Sequence, residues 1–196
     1  MQIDPAKLSS RDAYRLMISC IIPRPIAFVT TLSKEGVSNL APFSFFNGVS
    51  SHPPIVSIAV ASRRDGSKKD TWQNIEETGE FVVNIVVPEL MDAVITGARD
   101  LPHNVSELDL AGLRTLPSVK VKPPRVADSP VQLECTLLKI VEVEETALIL
   151  GRVVMVHAKD EVLSDGRVDP RRLTFVGRLG DDFYCRVNDL FERKRQ

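Results

Sequence analysis

Apolar and polar positions alternate most clearly between Pro23 and Phe46, PRPIAFVTTLSKEGVSNLAPFSFF. Ile26, Phe28 and Thr30 alternate with Ala27, Val29 and Thr31, which predicts a pleated, well-buried strand. Lys34-Glu35-Gly36 reads as a turn, because glycine tolerates the positive φ a hairpin needs. Asn39-Leu40-Ala41-Pro42-Phe43-Ser44-Phe45-Phe46 then breaks the pattern. Pro42 removes a backbone donor, so this segment is expected at a sheet edge or leaving the sheet. A backbone that departs from a sheet beside small side chains and aromatic faces can hold a flat, polar-rimmed ligand. The plainer alternative is an irregular edge strand over a small aromatic core.

The rest of the chain can be read by the same periodicities. Residues 1–7 form a loose arm within an N-terminal arm of residues 1–12, and Ser9 to Met17 predicts a short serine-capped helix with Asp12 near its positive end. Pro23 and Pro25 hold Arg24 extended, either as a surface arginine without a partner or as a cation aimed at an anion. Residues 47–54 read as a loop and Ile55–Ala61 as a central strand. Residues 67–79 read as a helix unit in which Asp70 caps the start, Gln73 follows three positions later and Gly79 closes the end. Phe81–Val87 predicts a strand, and Pro88 opens a helix running to about Ala98. Residues 99–130, punctuated by Pro102, Pro117, Pro123, Pro124 and Pro130, predict a long excursion with one helical turn near Glu107–Leu113. Excursions of this length are usually functional or make a subunit contact.

In Val131–Val143, Val131, Leu133, Cys135 and Leu137 face one way and Gln132, Glu134 and Thr136 the other. Glu144-Glu145 turns the chain and Ala147–Ala158 returns it as the second arm of a hairpin. An Asp-Gly turn at Asp165-Gly166, a short extended Leu173–Gly180 and a polar tail from Asp189, helical or not, complete the chain. About six strands and two or three helices, the strands joined mostly by turns, give a mainly β fold: one domain, residues 1–196, built as an antiparallel barrel with helical insertions.

Composition narrows the function classes. The 196 residues are 43% hydrophobic and 26% charged, with a net charge of −1. This is an ordinary globular make-up, without the basic field expected of a nucleic-acid or membrane-surface binder. The apolar runs are interrupted by charge, so no membrane span is predicted. Cys20, Cys135 and Cys185 are widely spaced and form no C-x-x-C pair, and the N-terminus carries no signal-peptide pattern. Together these favour a reducing cytoplasm. Cys135, on the apolar face of its strand, is expected to be a core thiol. His52, His103 and His157 are isolated, which argues against a metal site, and no G-x-S-x-G supports a serine nucleophile. No catalytic residue is assigned.

The strongest local chemistry lies in Ser62–Asn74, SRRDGSKKDTWQN. A strand ends, a glycine-containing turn carries Arg63, Arg64, Lys68 and Lys69, and a helix begins. The first-turn N–H groups of a helix are unsatisfied and partly positive, so they favour an anion. Ser67 and Thr71 add hydroxyls and Lys69 or an arginine adds charge, which together describe a phosphate cradle without a Walker motif. The alternative is a solvated cationic loop with Asp70 as a simple cap.

Three separated blocks, RPIAFVTTL, NLAPFSFFNGVSSHPPIVSIAV and KKDTWQNIEETGEFVVNIV, followed by PVQLEC, GRVVMVH and VGRLGDDFY, resemble the flavin reductase-like family, the FMN-binding split-barrel proteins that include flavoredoxins. The resemblance covers most of the chain. It implies a six-stranded antiparallel split barrel, usually a homodimer, with FMN held non-covalently near the subunit contact and the 99–130 excursion at that contact. It also implies a redox role, either as an NAD(P)H-dependent flavin reductase or as an electron carrier between protein partners.

Carried onto this chain, Thr30, Thr31, Asn39, Ala41, Ser44 and Phe45 would line the isoalloxazine, with Pro42 freeing backbone donors of Asn39–Phe45 toward the ring. Ser62, Arg63, Lys69 and Thr71 would hold the phosphate, with Asp70 and Asn74 in the same block. Arg24 would contact ring or phosphate, and His157 and Arg178 would border the flavin or the dimer seam. One departure stands out. NAD(P)H-using branches often carry Gly-Asp-His at the start of the strand where this chain has Gly151-Arg152-Val153, which puts nicotinamide oxidation in question and leaves FMN binding untouched.

Overall fold

The computed structural model describes residues 1–99, 101–102 and 105–194; the histidine at position 103 considered above lies outside them. In chain order the elements begin with α1 (Ser10–Cys20), β1 (Arg24–Pro25), β2 (Ala27–Leu32), β3 (Ser38–Phe43), β4 (Phe46–Ser51), β5 (Pro54–Ala61) and α2 (Asp70–Thr78). They continue with β6 (Glu80–Ile85), α3 (Met91–Gly97), α4 (Glu107–Leu110), β7 (Thr115–Leu116), β8 (Arg125–Val126), β9 (Val131–Val143) and β10 (Thr146–Ala158). The last are β11 (Leu163–Ser164), β12 (Arg167–Val168), β13 (Phe175–Arg178) and β14 (Tyr184–Val187).

The main sheet has seven strands, ordered β3-β2-β6-β9-β10-β5-β4, and a small sheet, β1-β13-β14, sits beside it. Every pairing in the main sheet is antiparallel. The sheet curls on itself, and the Ala59 N–H donates to the Phe45 carbonyl at 2.9 Å, joining β5 to the link between the two edge strands. Inside lie Val29, Phe43, Ile58, Val60, Phe81, Cys135 and Ile149, with Trp72 and Ile75 of α2 packed against the same cluster. A second cluster covers the outer face: Ile26, Phe28 and Leu40 pack with Val86, Leu90, Val94, Leu108 and Val126. Strand β2 is therefore buried on both sides, and each fully buried large apolar side chain contributes about 1.5–3 kcal/mol.

The antiparallel barrel, the β2–β3 hairpin, the β9–β10 hairpin and α2 closed by Gly79 all stand as expected. Four details differ. Residues 46–51 form β4, an exposed edge strand with an irregularity between Gly48 and Ser50, where the sequence predicted a loop. Its single paired side and polar outer face hide the alternation on which strand prediction depends. The main sheet has seven strands rather than six, and β14 was not anticipated. The arm ends before residue 12, because α1 begins at Ser10 with Ser9 accepting the Asp12 N–H at 3.1 Å. Finally, Gly151 lies in mid-strand in β10, not at its start; a Cβ there would lie 2.2 Å from the Phe81 ring. Phe81 packing is thus sufficient to require this glycine.

The polar face of β9 is buried too. Gln132 and Glu134 are 4% and 0% exposed, and Glu134 accepts the N–H groups of Val119, Lys120 and Val121 at 2.8, 2.6 and 3.2 Å. His157 Nε2 contacts the same carboxylate at 2.5 Å. This histidine therefore helps pin the excursion to the barrel wall. Burial alone would raise the Glu134 pKa, but the N–H groups and His157 outweigh it and lower it.

Candidate functional site

The hairpin turn and the helix start bring two segments together. Edge strand β3 supplies Asn39, Ala41, Pro42 and Phe43 to one wall of a cleft, and the turn before α2 supplies Arg63, Lys69, Asp70 and Thr71 to another. The end of α3 and Glu107 of α4 close the third side. Helix α3 can approach because residue 97 is glycine: a Cβ there would sit 2.9 Å from the Leu40 carbonyl and 3.0 Å from the Phe28 ring.

Behind the cleft is a buried polar knot. Asn39 Nδ2 donates to Thr71 Oγ1 at 2.8 Å and to Thr31 Oγ1 at 3.3 Å, and Asn74 Nδ2 donates to Thr31 at 3.0 Å. Asn74 and Thr31 do not line the cleft; they hold Asn39, which in turn holds Thr71. Thr71 accepts from Asn39, which leaves its own O–H free to donate outward.

The helix start itself is open. Lys69 occupies the N-cap with no side-chain cap, and Asp70 is the first helical residue rather than the cap expected. Asp70 is instead paired with Arg63 Nη2 at 2.7 Å, while Arg63 Nη1 donates to the Lys68 carbonyl. Arg63 therefore closes the turn. Ser67 does likewise, its Oγ donating to Asp65 at 2.6 Å. Lys68 reaches Glu76 at 2.6 Å and lies over the Trp72 ring. Half-buried Lys69 lines the cleft with no ion pair among the described residues.

Glu107 is the residue the sequence did not flag. Its carboxylate is 5% exposed and accepts the Leu40 N–H at 3.0 Å. Burial pushes its pKa above the ordinary value, opposed by the Leu40 bond. The only signal in the sequence was a helical turn predicted near this position. Pro42 sits two residues beyond Leu40, so by strand alternation its missing N–H also lies on the free edge. The amides of Asn39, Ala41 and Phe43 then point to β2. Pro42 therefore does not free donors from β3, and Ser44 and Phe45, between the strands, carry the amides that remain.

Other candidates fall elsewhere. Thr30 is on the opposite face of β2, donating to the Pro124 carbonyl at 2.5 Å. Arg24 is neither a bare surface residue nor aimed at an open site. It is 4% exposed, donates to the carbonyls of Ile18, Ile21 and Leu179 at 2.6, 2.8 and 2.8 Å, and contacts Ser44 Oγ at 3.3 Å. It clamps the end of α1 to the small sheet. Ser62 bonds through its N–H to the Glu145 carbonyl and does not line the cleft. Phe45 lies 5.9 Å from the Arg24 guanidinium. Arg178 and Ser44 line a neighbouring pocket. Cys135 is fully buried, and burial pushes its thiol pKa up to about 12, so it is an inert core group. Among the described residues no cluster could hold a metal ion, and no helix is long and apolar enough to cross a membrane.

Comparison with known proteins adds a family. The family described as flavin reductase like domain matches residues 18–176. An uncharacterized protein of Halalkalibacterium halodurans is 40% identical, the match covering 100% of this chain and 96% of the relative. Nitrilotriacetate monooxygenase component B from Bacillus cereus is similar in structure, with a TM-score of 0.93, 36% identity and 98% of both chains covered. The 2-nitrobenzoate 2-nitroreductase of Pseudomonas fluorescens gives a TM-score of 0.91 and 32% identity, over 100% of this chain and 96% of that one.

Proposed function

Because the chain belongs to the flavin reductase-like domain family, we propose that it is an FMN-binding flavoprotein oxidoreductase, with the cofactor held non-covalently in the cleft between β3 and the start of α2. One observation carries this reading: a helix N-terminus without a side-chain cap, a lysine with no ion pair among the described residues and a threonine hydroxyl that keeps its own donor converge on the wall formed by Ala41 and Pro42. That donor set suits a phosphate, and the flat, small-residue wall suits a ring.

Lys69, the Thr71 hydroxyl and the first-turn N–H groups of α2 would hold the phosphate. Asn39 and Asn74 keep Thr71 in place, and Arg63 neutralises Asp70 at the rim. Ala41 and Pro42 would lie against the ring, with Ser44 and Phe45 offering backbone N–H groups toward its edge. Bound there, FMN would supply hydride or single-electron transfer; the chain supplies orientation, exclusion of water and electrostatics. The Pseudomonas neighbour is named a reductase, which supports an enzyme; NAD(P)H as its electron donor belongs to the proposal.

A second reading is an electron carrier working with a redox protein partner. It is favoured by the start of β10, where Glu144-Glu145-Thr146 stands and no Gly-Asp-His of the nicotinamide-using branches occurs; Gly151 lies in mid-strand, where Phe81 packing accounts for it. A homodimer joined through the excursion belongs to the proposal. Exposed Leu110, Leu116 and Val119 on that segment, at 51%, 40% and 64%, support it. Light scattering would measure the mass. The free cysteines support work in the cytoplasm.

The test is direct. FMN titrated into the protein should lose fluorescence and turn the sample yellow; no quenching would sink both readings. Anaerobic mixing with NADH or NADPH then separates them. Bleaching of the flavin band identifies a reductase, and no bleaching with either donor leaves the carrier.

A further inference from the structure

A groove that shares no residue with the cleft opens elsewhere on the molecule, with a volume of about 570 Å³. Val87, Leu90, Leu113, Pro130, Val162 and Leu173 give it an apolar floor, and Glu89, Asp128, Glu161, Lys159 and Arg172 complete the lining. Pockets of roughly 300–1,000 Å³ take drug-sized molecules, so two large apolar side chains have room here. Asp128 is engaged by Arg114 at 2.9 Å, and Arg172 Nη1 donates to the Leu163 carbonyl at 2.7 Å. Glu89, Glu161 and Lys159 form no ion pair among the described residues.

The chain itself carries a segment that matches this lining. After β14 the sequence reads NDLFERKRQ, two large apolar residues followed by an acid and three bases. Residues 188–194 form no helix or strand, and Leu190 and Phe191 are 42% and 87% exposed. The segment also starts beside the groove. Val187 pairs with Phe175, and the antiparallel register, carried on past both strand ends, leads the chain toward Leu173 and Arg172. Glu192 lies near the groove edge: the Arg171 pKa is raised chiefly by the bond to Asp169, and the Glu192 charge adds to it. An apolar pocket nearer the root, lined in part by Pro23, Ile85, Phe175 and Val187, has no carboxylate in its lining to meet the bases.

We propose that residues 188–194 are a strap, open in this structure, that closes over the groove of its own chain. Leu190 and Phe191 then cover the apolar floor, Glu192 turns to Arg172, and Arg193 and Lys194 turn to Glu161 and Glu89. The closed strap rests on Leu90, the residue that leads into α3, and α3 ends at the cleft. The proposal does not depend on what the cleft binds.

Trypsin cuts after Arg193 and Lys194, so the rate of cleavage in the strap, followed by intact mass, reports how often it is open. Leu113→Gln and Arg172→Gln alter the groove and leave the cleavage sites unchanged. Each should speed the cut about threefold to tenfold, the effect of losing one apolar contact or one charged pair. Thermal unfolding checks that both variants fold, and Arg172, on the surface, gives the variant safer for the fold. An unchanged rate in the folded variants would overturn the proposal, since a strap that stays open, or docks elsewhere, gains nothing from this groove. A cysteine pair identifies which chain supplies the strap. Leu113→Cys with Phe191→Cys, in a chain also carrying Cys20→Ser and Cys185→Ser, should form a disulfide within one chain on mild oxidation. Disulfide-linked dimers would assign the groove to the tail of a second copy, and no disulfide would mean that the strap does not reach it; either result overturns the proposal.

Discussion

The two ends of the groove along β3 solve the problem of charge in opposite ways. At the α2 end, Arg63 is paired with Asp70 and Glu107 lines the same cleft, so the cations work among carboxylates. At the far end, Arg178 rests on Tyr184 and Arg24 is held by carbonyl groups, with no carboxylate among the described residues of the lining. A paired cation shapes the backbone and costs little to keep in place. A cation solvated only by carbonyls and aromatic faces keeps its full charge for a ligand. Counting basic residues would have ranked the α2 end as far more positive; the pairing makes the contrast much smaller. What distinguishes the α2 end is its helix N-terminus and Lys69.

The largest effect should come from removing those donors. Lys69→Ala combined with Thr71→Ala should weaken FMN binding about a hundredfold, since two charge-assisted bonds are lost. Fluorescence quenching measures it. Unchanged affinity would move the anionic group to the arginine end and break the contrast.

A smaller effect, of opposite sign, is expected at Glu107. Glu107→Gln keeps an acceptor for the Leu40 N–H and removes a negative charge from the cleft, so FMN should bind roughly threefold to tenfold more tightly. Weaker binding would mean that the carboxylate itself helps to hold the ligand.

The smallest effect is in the pH profile. Burial raises the Glu107 pKa from 4.5, so the folded protein favours its protonated form. The stability this contributes is present at acid pH and is lost as pH rises through the folded pKa. The thermal midpoint of the wild type should therefore fall relative to Glu107→Gln over the range above pH 4.5. Parallel curves would show that Glu107 is not penalised in the cleft. Glu134 should behave in the opposite way: its lowered pKa stabilises the fold above the ordinary carboxylate range, and that contribution disappears as pH falls through the folded pKa. Three N–H donors and a histidine at Glu134, against the N–H groups of Leu40 and of Glu107 itself, account for the difference in sign.

Much of the scaffold could be read directly. The hairpin of β9 and β10 follows from alternation and the Glu144-Glu145 turn, and α2 follows from its position between a basic turn and Gly79. The candidate cleft was legible as two patches, Asn39–Phe43 and Lys69–Thr71, each carrying a local signature. The roles within them were less so. Thr30 and Thr31 are adjacent in one strand, yet one lies under the excursion and the other backs the cleft. That follows from alternation only once both faces of β2 are known to be buried. Strand β4 was missed because its outer side is solvated. Glu107 was missed because nothing near it in the chain indicates that its partner is the amide of Leu40.

Local order here is a property of short segments: side-chain period, turn residues and helix ends act over a few positions, so most strands, the hairpins and the position of α2 are written in the chain. Which charges remain available is not a local property. Arg24 is held in part by Leu179, Glu107 by Leu40, and Glu134 by Val119–Val121, all brought together by closure of the barrel. A buried charge takes whatever partner the packed chain places within about 3 Å, and at that distance sequence separation no longer matters.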